Sequence, residues 1–359
     1  MDHSISKQSF RPVAVWLLLG AGMIIIQVLL GGITRLTGSG LSITEWKPIM
    51  GALPPMNEHD WATAFEKYKQ IAQYKYLNSY FTLRDFKFIF FWEWFHRLWA
   101  RLIGIVFLIP FIIFLIQKRF KKEMVKPMIM LFLLGALQGL IGWIMVQSGL
   151  EDSDTLYVSH YKLAIHFVLA LGLLCYTLWF ALELLVPSGQ ITVNKSLRNF
   201  TGWLVALLVV QLIYGAFMAG LKAAAAAPTW PKINGDWIPG SVHSFGGHEF
   251  TGLSFLTDNP LVVHFIHRTL AYLIAILVFI WCRKAVKITG TEMFKKTRWV
   301  PFWIVLTQVL LGIFTVLNAI NPKSFLWLGI AHQFTAMILL LSLIWMIYII
   351  RSRKNPAVA

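Results

Sequence analysis

The 359-residue sequence has few cysteines and few charged side chains. Its two cysteines, Cys175 and Cys282, fall within or at the end of apolar runs, so neither a structural disulfide nor thiol chemistry is expected. Charged residues make up 13% of the chain and hydrophobic residues 57%. That balance excludes a soluble globule of this length, which would need a more polar surface. The composition predicts a polytopic membrane protein.

Eight apolar runs are long enough to cross a hydrocarbon core of about 30 Å, which takes roughly 20 helical residues. They lie near 12–33, 91–116, 127–147, 160–186, 199–221, 261–282, 299–317 and 326–350. The first run is longer than a signal-peptide core and lacks a cleavage site, so it is expected to be retained. We predict an all-α integral membrane protein with eight transmembrane helices.

Acidic residues are also scarce, 16 against 32 basic residues. The basic residues gather at both termini and in the loops after the second, fourth and sixth runs. Because cytoplasmic loops collect Lys and Arg, we predict that both termini are cytoplasmic and that the protein spans the cell (inner) membrane. The net charge of +16 then describes membrane topology, and nucleic acid is not an expected partner.

The chain contains a weak internal repeat, which predicts two pseudo-symmetric four-helix bundles, at 1–190 and 191–359. His96-Arg97 in the second run corresponds to His267-Arg268 in the sixth, and His166 in the fourth to His332 in the eighth. All four histidines fall at a similar predicted depth, toward the outer face. Opposite helices of a bundle can present two imidazoles to one planar macrocycle, so the pattern predicts two bis-histidine haem sites. The alternative is four hydrogen-bonded core histidines, although ionisable groups inside a bilayer are usually functional.

Arg97 and Arg268 directly follow two of these histidines, and a guanidinium is a good bidentate partner for a porphyrin propionate. They could instead be snorkelling or ion-paired arginines. The repeat is broken three residues before each histidine, where the first half has Glu93 and the second has His264. A carboxylate beside a haem could act as a base or carry protons. A plain salt bridge from Glu93 to a neighbouring arginine remains the alternative.

Two outer loops are long enough to have their own function. The first, from Thr34 to about Phe90, contains an amphipathic stretch at 61–71 and is expected to form short helices over the first site. The second holds a stiff aromatic segment at 228–237 and is expected to cover the second site. Its histidines, His243 and His248, could bind copper or another metal, or could be ordinary solvated side chains.

Several segments together resemble the haem A synthase family over nearly the whole chain. They are Gly32–Ser42, which includes Arg35, Glu93-x-x-His96-Arg97, His166 after Ser159-His160-Tyr161, Thr229-Trp230-Pro231, His267-Arg268 and Ala331-His332-Gln333. The resemblance is closest to the branch that lacks an outer-loop cysteine pair, which this chain also lacks.

The resemblance implies oxidation of the C8 methyl group of haem O to the formyl group of haem A, for cytochrome oxidase assembly. It implies that His96 and His166 bind the haem O substrate, that His267 and His332 hold a resident haem b, and that Glu93 is needed for the chemistry. Arg35, Arg97 and Arg268 are then cofactor-binding candidates.

Haem O synthase and an electron acceptor in the membrane are the implied partners, and a homo-oligomer is compatible with the sequence. A di-haem b-type electron carrier and a porphyrin transporter stay open as alternatives. The residues alone assign no role to His160, His243, His248 or His264.

Overall fold

A computed structural model describes residues 10–45, 50–120, 122–150, 155–239 and 244–352. Its α-helices in chain order are α1 (Arg11–Leu36), α2 (Glu58–Tyr68), α3 (Leu83–Ile116), α4 (Lys122–Gln147), α5 (His160–Leu185), α6 (Lys195–Gly220), α7 (Ala223–Ala226), α8 (Gly252–Thr257), α9 (Pro260–Val286), α10 (Glu292–Thr297), α11 (Val300–Leu317) and α12 (Pro322–Ile349). Eight helical segments in these ranges are long and apolar enough to cross a membrane: α1, α3, α4, α5, α6, α9, α10 with α11, and α12. The predicted all-α fold with eight spans is confirmed.

Polar caps set several helix boundaries outside the apolar runs. Helix α3 begins at Leu83 rather than near 91, because Thr82 and Asp85 form a reciprocal capping box that satisfies free backbone donors. The side chains of Asn194 and Asn259 cap α6 and α9 in the same position. Hydropathy alone does not register these caps, so the predicted spans were too short at such ends.

The remaining elements are short and lie in the connections. They are 3₁₀ turns at Met50–Ala52 and Ser188–Gln190, a π turn at Tyr74–Asn78, and the strands β1 (Thr192–Val193), β2 (Ser244–Phe245), β3 (His248–Glu249) and β4 (Ile350–Arg351). Strand β1 pairs in parallel with β4, and β2 pairs antiparallel with β3. We call the end of the bundle that carries residues 37–45, 50–82, 221–239 and 244–259 the long-loop end. The opposite end, with the β1–β4 pair, is the basic end.

The hydrophobic core runs through both predicted domains. Helix α1 packs against α3, α5 and α12, and α12 also contacts α5 and α6. One buried cluster joins side chains of all these helices except α3, among them Val28, Leu174, Leu208 and Leu343. Tight packing of this kind replaces the hydrophobic effect as the main cohesion between helices in lipid. The division at 190 and 191 stays a prediction.

A proline in α3 ties that helix to α1 near the basic end. Pro110 has no backbone N–H, so the carbonyl of Val106, four residues earlier, lacks its usual helical donor. The indole Nε1 of Trp16 donates to this carbonyl at 2.9 Å. The helix-breaking residue is therefore tolerated because a neighbouring helix satisfies the backbone oxygen.

The first long loop folds over the start of α3. Helix α2 covers most of the amphipathic stretch predicted at 61–71. Phe65 and Tyr68 from α2 form a buried cluster with Phe86, Ile89 and Phe90 of α3. The Tyr68 hydroxyl donates to Gln73 Oε1 at 3.0 Å and accepts from Asn78 Nδ2 at 2.7 Å. We call the residues of this cluster, with residues 50–82, the loop cap.

Candidate functional site

The four predicted histidines lie on four different long helices: His96 on α3, His166 on α5, His267 on α9 and His332 on α12. Each is half-buried. In the second half the ring centres of His267 and His332 are 6.4 Å apart, with an angle of 72° between the ring planes. His267 and His332, predicted as one pair, are therefore neighbours in space. Their role as ligands and the pairing of His96 with His166 stay predictions.

The geometry of the second pair fits one iron. Metal–imidazole bonds of about 2 Å place the centres of two rings on opposite sides of a metal roughly 6 Å apart, close to the 6.4 Å between His267 and His332. The Nδ1 atom of His267 is buried without a hydrogen-bond partner. A Cβ on Gly312 would lie 2.9 Å from His332 Cε1, so only glycine leaves room for this imidazole.

Three or more His, Cys, Asp or Glu side chains placed to hold a metal ion occur nowhere in the described ranges. Haem iron needs no such cluster, because the porphyrin supplies the remaining nitrogens and the protein supplies one or two axial ligands. The chemistry of the donor set therefore suits a haem better than a protein-bound metal ion.

Glu93 is buried, and both oxygens of its carboxylate accept hydrogen bonds. Its Oε1 accepts from Arg97 Nη2 at 2.5 Å, one helical turn further along α3. Its Oε2 accepts from Ser42 Oγ at 2.7 Å and from the Ile43 amide at 2.8 Å. Both oxygens of this carboxylate therefore have hydrogen-bond donors, and one of these donors is a guanidinium. The ion pair weighed as an alternative is present, and the same carboxylate also fastens the first long loop.

Arg97 and Arg268 occupy corresponding places and make corresponding contacts. Arg97 Nη2 donates to the Ile43 carbonyl at 3.1 Å. Arg268 donates to the carbonyls of Thr229 and Pro231 at 2.9 and 2.6 Å. Each guanidinium therefore holds a long-loop segment against the helix turn that carries a candidate ligand.

His264 takes the place of Glu93 in the second half. It is buried, its Nε2 lies 3.4 Å from Arg268 Nη2, and its Nδ1 has no hydrogen-bond partner. The corresponding turn therefore carries a carboxylate in one half and an imidazole in the other, beside the same arginine.

Arg35 joins the two halves at the long-loop end. Its Nη2 donates to the carbonyls of Ala219 and Gly220, at the end of α6, at 2.6 and 2.9 Å. Its guanidinium also lies 5.5 Å from the ring centre of Tyr157. These contacts give Arg35 a structural role, and its predicted contact with a cofactor stays a prediction.

His160 and His248 are described but are not among the four candidate ligands. His160 Nε2 lies 2.9 Å from Asp258 Oδ1, which links the start of α5 to the connection before α9. His248 is exposed on β3, and His243 lies outside the described residues. No metal role is assigned to either loop histidine.

Three glutamines to which sequence reasoning assigned no role contact the histidines. Gln138 Nε2 donates to the His166 carbonyl at 2.7 Å, and Gln211 Nε2 donates to the His267 carbonyl at 2.9 Å. Gln308 Nε2 lies 3.2 Å from His332 Nε2. The sequence signal was available, because each of these glutamines precedes a glycine by four residues within an apolar run.

An all-α bundle with eight helices that are long and apolar enough to cross a membrane defines the class of multi-pass membrane proteins. Residues 14–344 match the model of the COX15-CtaA family, described as cytochrome oxidase assembly protein. The chain belongs to this family.

Several relatives carry a more specific name. The chain is 41% identical to a haem A synthase of Rhodospirillum centenum, over 96% of this chain and 90% of the relative. It is 39% identical to a haem A synthase of Flavobacterium johnsoniae, over 93% of this chain and 96% of the relative. It is 40% identical to a haem A synthase of Nitrosospira multiformis, over 93% and 92%. The family resemblance found in the sequence is confirmed.

Proposed function

We propose that this protein is a haem A synthase, an oxidoreductase that converts the C8 methyl group of haem O to the formyl group of haem A for cytochrome oxidase. The relatives that carry this name match the chain almost end to end at about 40% identity. The structural observation that carries the proposal is the spacing of His267 and His332, whose ring centres are 6.4 Å apart and suit two ligands of one haem iron.

The two histidine pairs take different roles in this proposal. His267 and His332 hold a resident haem b, and His96 and His166 bind haem O as the substrate. The assignment rests on the difference between Glu93 and His264, since only the first half places a carboxylate one turn from a candidate ligand. A bound haem b would supply electron transfer at its iron.

Glu93 is the candidate for proton transfer during the oxidation. Conversion of a methyl group to a formyl group is a four-electron oxidation in which the carbon loses two hydrogens and gains one oxygen. With water as the oxygen source (R–CH3 + H2O → R–CHO + 4 H+ + 4 e−), the site needs a proton acceptor and the membrane needs an electron acceptor. Glu93 lies on α3 three residues before His96, and its Oε2 atom is held by Ser42 and Ile43. The long loop therefore determines where this carboxylate points.

Arg97 and Arg268 are proposed to pair with haem propionates. Each follows a candidate ligand directly, and a guanidinium carries five N–H donors, so contacts to loop carbonyls leave further donors available. Because Lys and Arg gather at the basic end, that end is proposed to face the cytoplasm and the long-loop end the outer face of the cell membrane. Haem O synthase is the proposed supplier of the substrate.

Extraction and chromatography of haems tests this function. Cells that make the protein together with a source of haem O should yield a formyl-haem peak that is absent from cells with the haem O source alone. A di-haem electron carrier would give bound haem but no formyl product. A colourless protein that stays colourless after haem supply would exclude both.

A further inference from the structure

The segment that follows α1 is a tight turn that leads the chain back to α3. The Ser39 amide donates to the Thr34 carbonyl at 2.9 Å. Gly38 has a φ of +69°, a left-handed conformation that glycine adopts without a steric penalty. Because of this turn, the chain reaches the buried carboxylate of Glu93 at Ser42, only a few residues after the helix ends.

Leu41 anchors the turn in the protein interior. Its side chain is 2% exposed. It packs against Gly149, just beyond the end of α4, where an added Cβ would lie 2.8 Å from Leu41 Cδ2 and 3.2 Å from the Val158 amide nitrogen. Three chain segments therefore approach one another closely at this point. The position of the next residue, Ser42, is fixed by this packing.

Two donors from the turn converge on one oxygen of Glu93. Ser42 is buried, and its Oγ donates to Glu93 Oε2 at 2.7 Å. The Ile43 amide donates to the same oxygen at 2.8 Å. The Ile89 carbonyl lies 3.4 Å from Ser42 Oγ, so it is the weaker acceptor for a hydroxyl that carries one hydrogen. Both acceptor positions of Oε2 are therefore occupied.

The other oxygen of this carboxylate keeps one acceptor position. A carboxylate has about four lone-pair sites, shared equally between its two oxygens. Among the described residues, Glu93 Oε1 accepts from Arg97 Nη2 alone, at 2.5 Å. The donors act on both oxygens and come from two chain segments, so together they hold the plane of the carboxylate. The remaining site on Oε1 therefore has a defined direction.

The corresponding place in the second half has carbonyls in place of this donor pair. There the long-loop segment offers Arg268 the carbonyls of Thr229 and Pro231. Proline has no amide hydrogen, and the Thr229 hydroxyl donates to the Lys232 carbonyl at 2.8 Å. The buried Nδ1 of His264 has no hydrogen-bond partner within the described part of the chain. The donor pair thus belongs to the half that carries the carboxylate.

We propose that Ser42 is a positioning residue for Glu93, and that Glu93 Oε1 is the oxygen that accepts protons during the oxidation. The proposal rests on the proposed function. A proton released from the substrate or from water binds the remaining site of Oε1, which converts the carboxylate to the acid, and the acid passes the proton on to water. The electrons go to the acceptor in the membrane. Without the Ser42 hydroxyl the carboxylate can turn, and small misplacements of a reacting group cost large factors in rate.

Infrared spectroscopy of the purified protein tests this positioning without any turnover. The carboxyl bands of Glu93 are obtained as the difference between a protein and its Glu93→Gln counterpart. In Ser42→Ala these bands should shift from their wild-type positions, because Oε2 loses one of its two donors. Ser42→Cys keeps a side chain of similar size with a weaker donor, so it should shift the bands less, and it serves if Ser42→Ala folds poorly. Bands at the wild-type positions in both variants would overturn the proposal.

Haem extraction measures the consequence for the reaction. Ser42→Ala, made with a haem O source, should form about tenfold less haem A and still bind unconverted haem O, since Ser42 is not among the candidate ligands. Ser39→Ala is the matched control, because Ser39 is a buried serine of the same turn whose hydroxyl lies 2.6 Å from Thr37 Oγ1. It should leave the Glu93 bands and the haem A yield unchanged. Equal losses in the two variants would contradict a specific role of Ser42.

Failure of the proposed function has a different signature. A wild-type protein that makes no haem A would refute that function, while the infrared bands would still test the contact between Ser42 and Glu93. Normal haem A formation in both the wild type and Ser42→Ala would overturn the positioning role alone.

Discussion

The arginines at corresponding positions of the two halves have different partners. Arg97 and Arg268 each follow a candidate haem ligand and each hold a long-loop segment, yet Arg97 pairs with a carboxylate and Arg268 contacts the imidazole of His264. The first half thus has a carboxylate held by Ser42 and Ile43, whereas the second half has an imidazole at the corresponding place. The same scaffold therefore places chemically different groups beside the two candidate histidine pairs.

The halves also differ in how much of their helices other helices cover. None of the most apolar stretch of α3 is buried and 22% of that of α5, against 33% for α9 and 39% for α12. The helices that carry the first pair are therefore less covered by the rest of the described chain than those that carry the second. This contrast agrees with a substrate site in the first half and a resident site in the second.

The largest effect is expected from removing a ligand of the second pair. His267→Ala or His332→Ala should abolish the low-spin haem b absorbance almost completely, since each histidine supplies one of the two axial bonds. Absorbance spectroscopy of the purified, reduced variants measures this. His248→Ala, on the exposed β3 strand, is the control and should keep the spectrum, while unchanged absorbance in both ligand variants would show that the haem is held elsewhere.

A smaller but still large loss is expected when the charge on Glu93 is removed. Glu93→Gln keeps a side chain that can accept from Ser42 and Ile43 but cannot take up a proton as a carboxylate does, so haem A formation should fall about 100-fold or more. Chromatography of extracted haems measures the yield. His264→Gln makes the same amide at the corresponding position and should have a much weaker effect. A normal haem A yield in Glu93→Gln would reduce this carboxylate to a structural ion pair.

Removing Arg97 should lower the free energy of unfolding more than removing Arg268. Arg97→Ala leaves the buried Glu93 carboxylate without its cation and should cost about 3–5 kcal/mol. Arg268→Ala removes hydrogen bonds to the Thr229 and Pro231 carbonyls and the contact with His264. It leaves no buried carboxylate without its cation and should cost about 1–3 kcal/mol. Thermal unfolding in detergent compares the two, with the exposed Arg84→Ala as a control. Equal losses would remove the electrostatic distinction between the halves.

The smallest effect concerns the loop cap, the folded part of the first long loop. Burial raises the pKa of Tyr68 to about 12, so the folded cap retains a proton that the unfolded chain begins to lose near pH 10. The contribution of Tyr68 to stability should therefore fall as the pH rises above 10. Tyr68→Phe should cost about 1 kcal/mol at neutral pH and remove that part of the pH dependence. Unfolding of the wild type and of Tyr68→Phe, compared at neutral pH and above pH 10, measures this difference. An unaltered pH dependence in Tyr68→Phe would contradict the prediction.

The sequence predicted the features that depend on local pattern. The eight apolar runs are visible because a bilayer requires about 20 apolar residues per helix, and the histidine pairs are visible because the two halves repeat His-Arg. The ends of the helices were less accessible, since the cap at Thr82 involves polar residues outside the apolar run.

The contacts of Glu93 could not be predicted, because they depend on how a loop some 50 residues away in sequence folds back onto α3. Hydropathy and residue spacing describe only local sequence, so they do not predict such a long-range contact. The glutamines at the histidines were predictable in principle. Gln138 and Gln308 lie four residues before Gly142 and Gly312 in corresponding spans, but an amide can face lipid, a neighbouring helix or a ligand, and only the fold decides which.

The central claim is that the two histidine pairs hold two haems in different roles, and the identity of the haem left in each pair of variants tests it most directly. Chromatography of haems from purified protein, made with a haem O source, should find haem b but no haem A in His96→Ala and His166→Ala. His267→Ala and His332→Ala should lack haem b and yield no haem A, with any remaining haem being unconverted haem O. Haem b retained in the His267 and His332 variants and lost from the His96 and His166 variants would contradict the assignment.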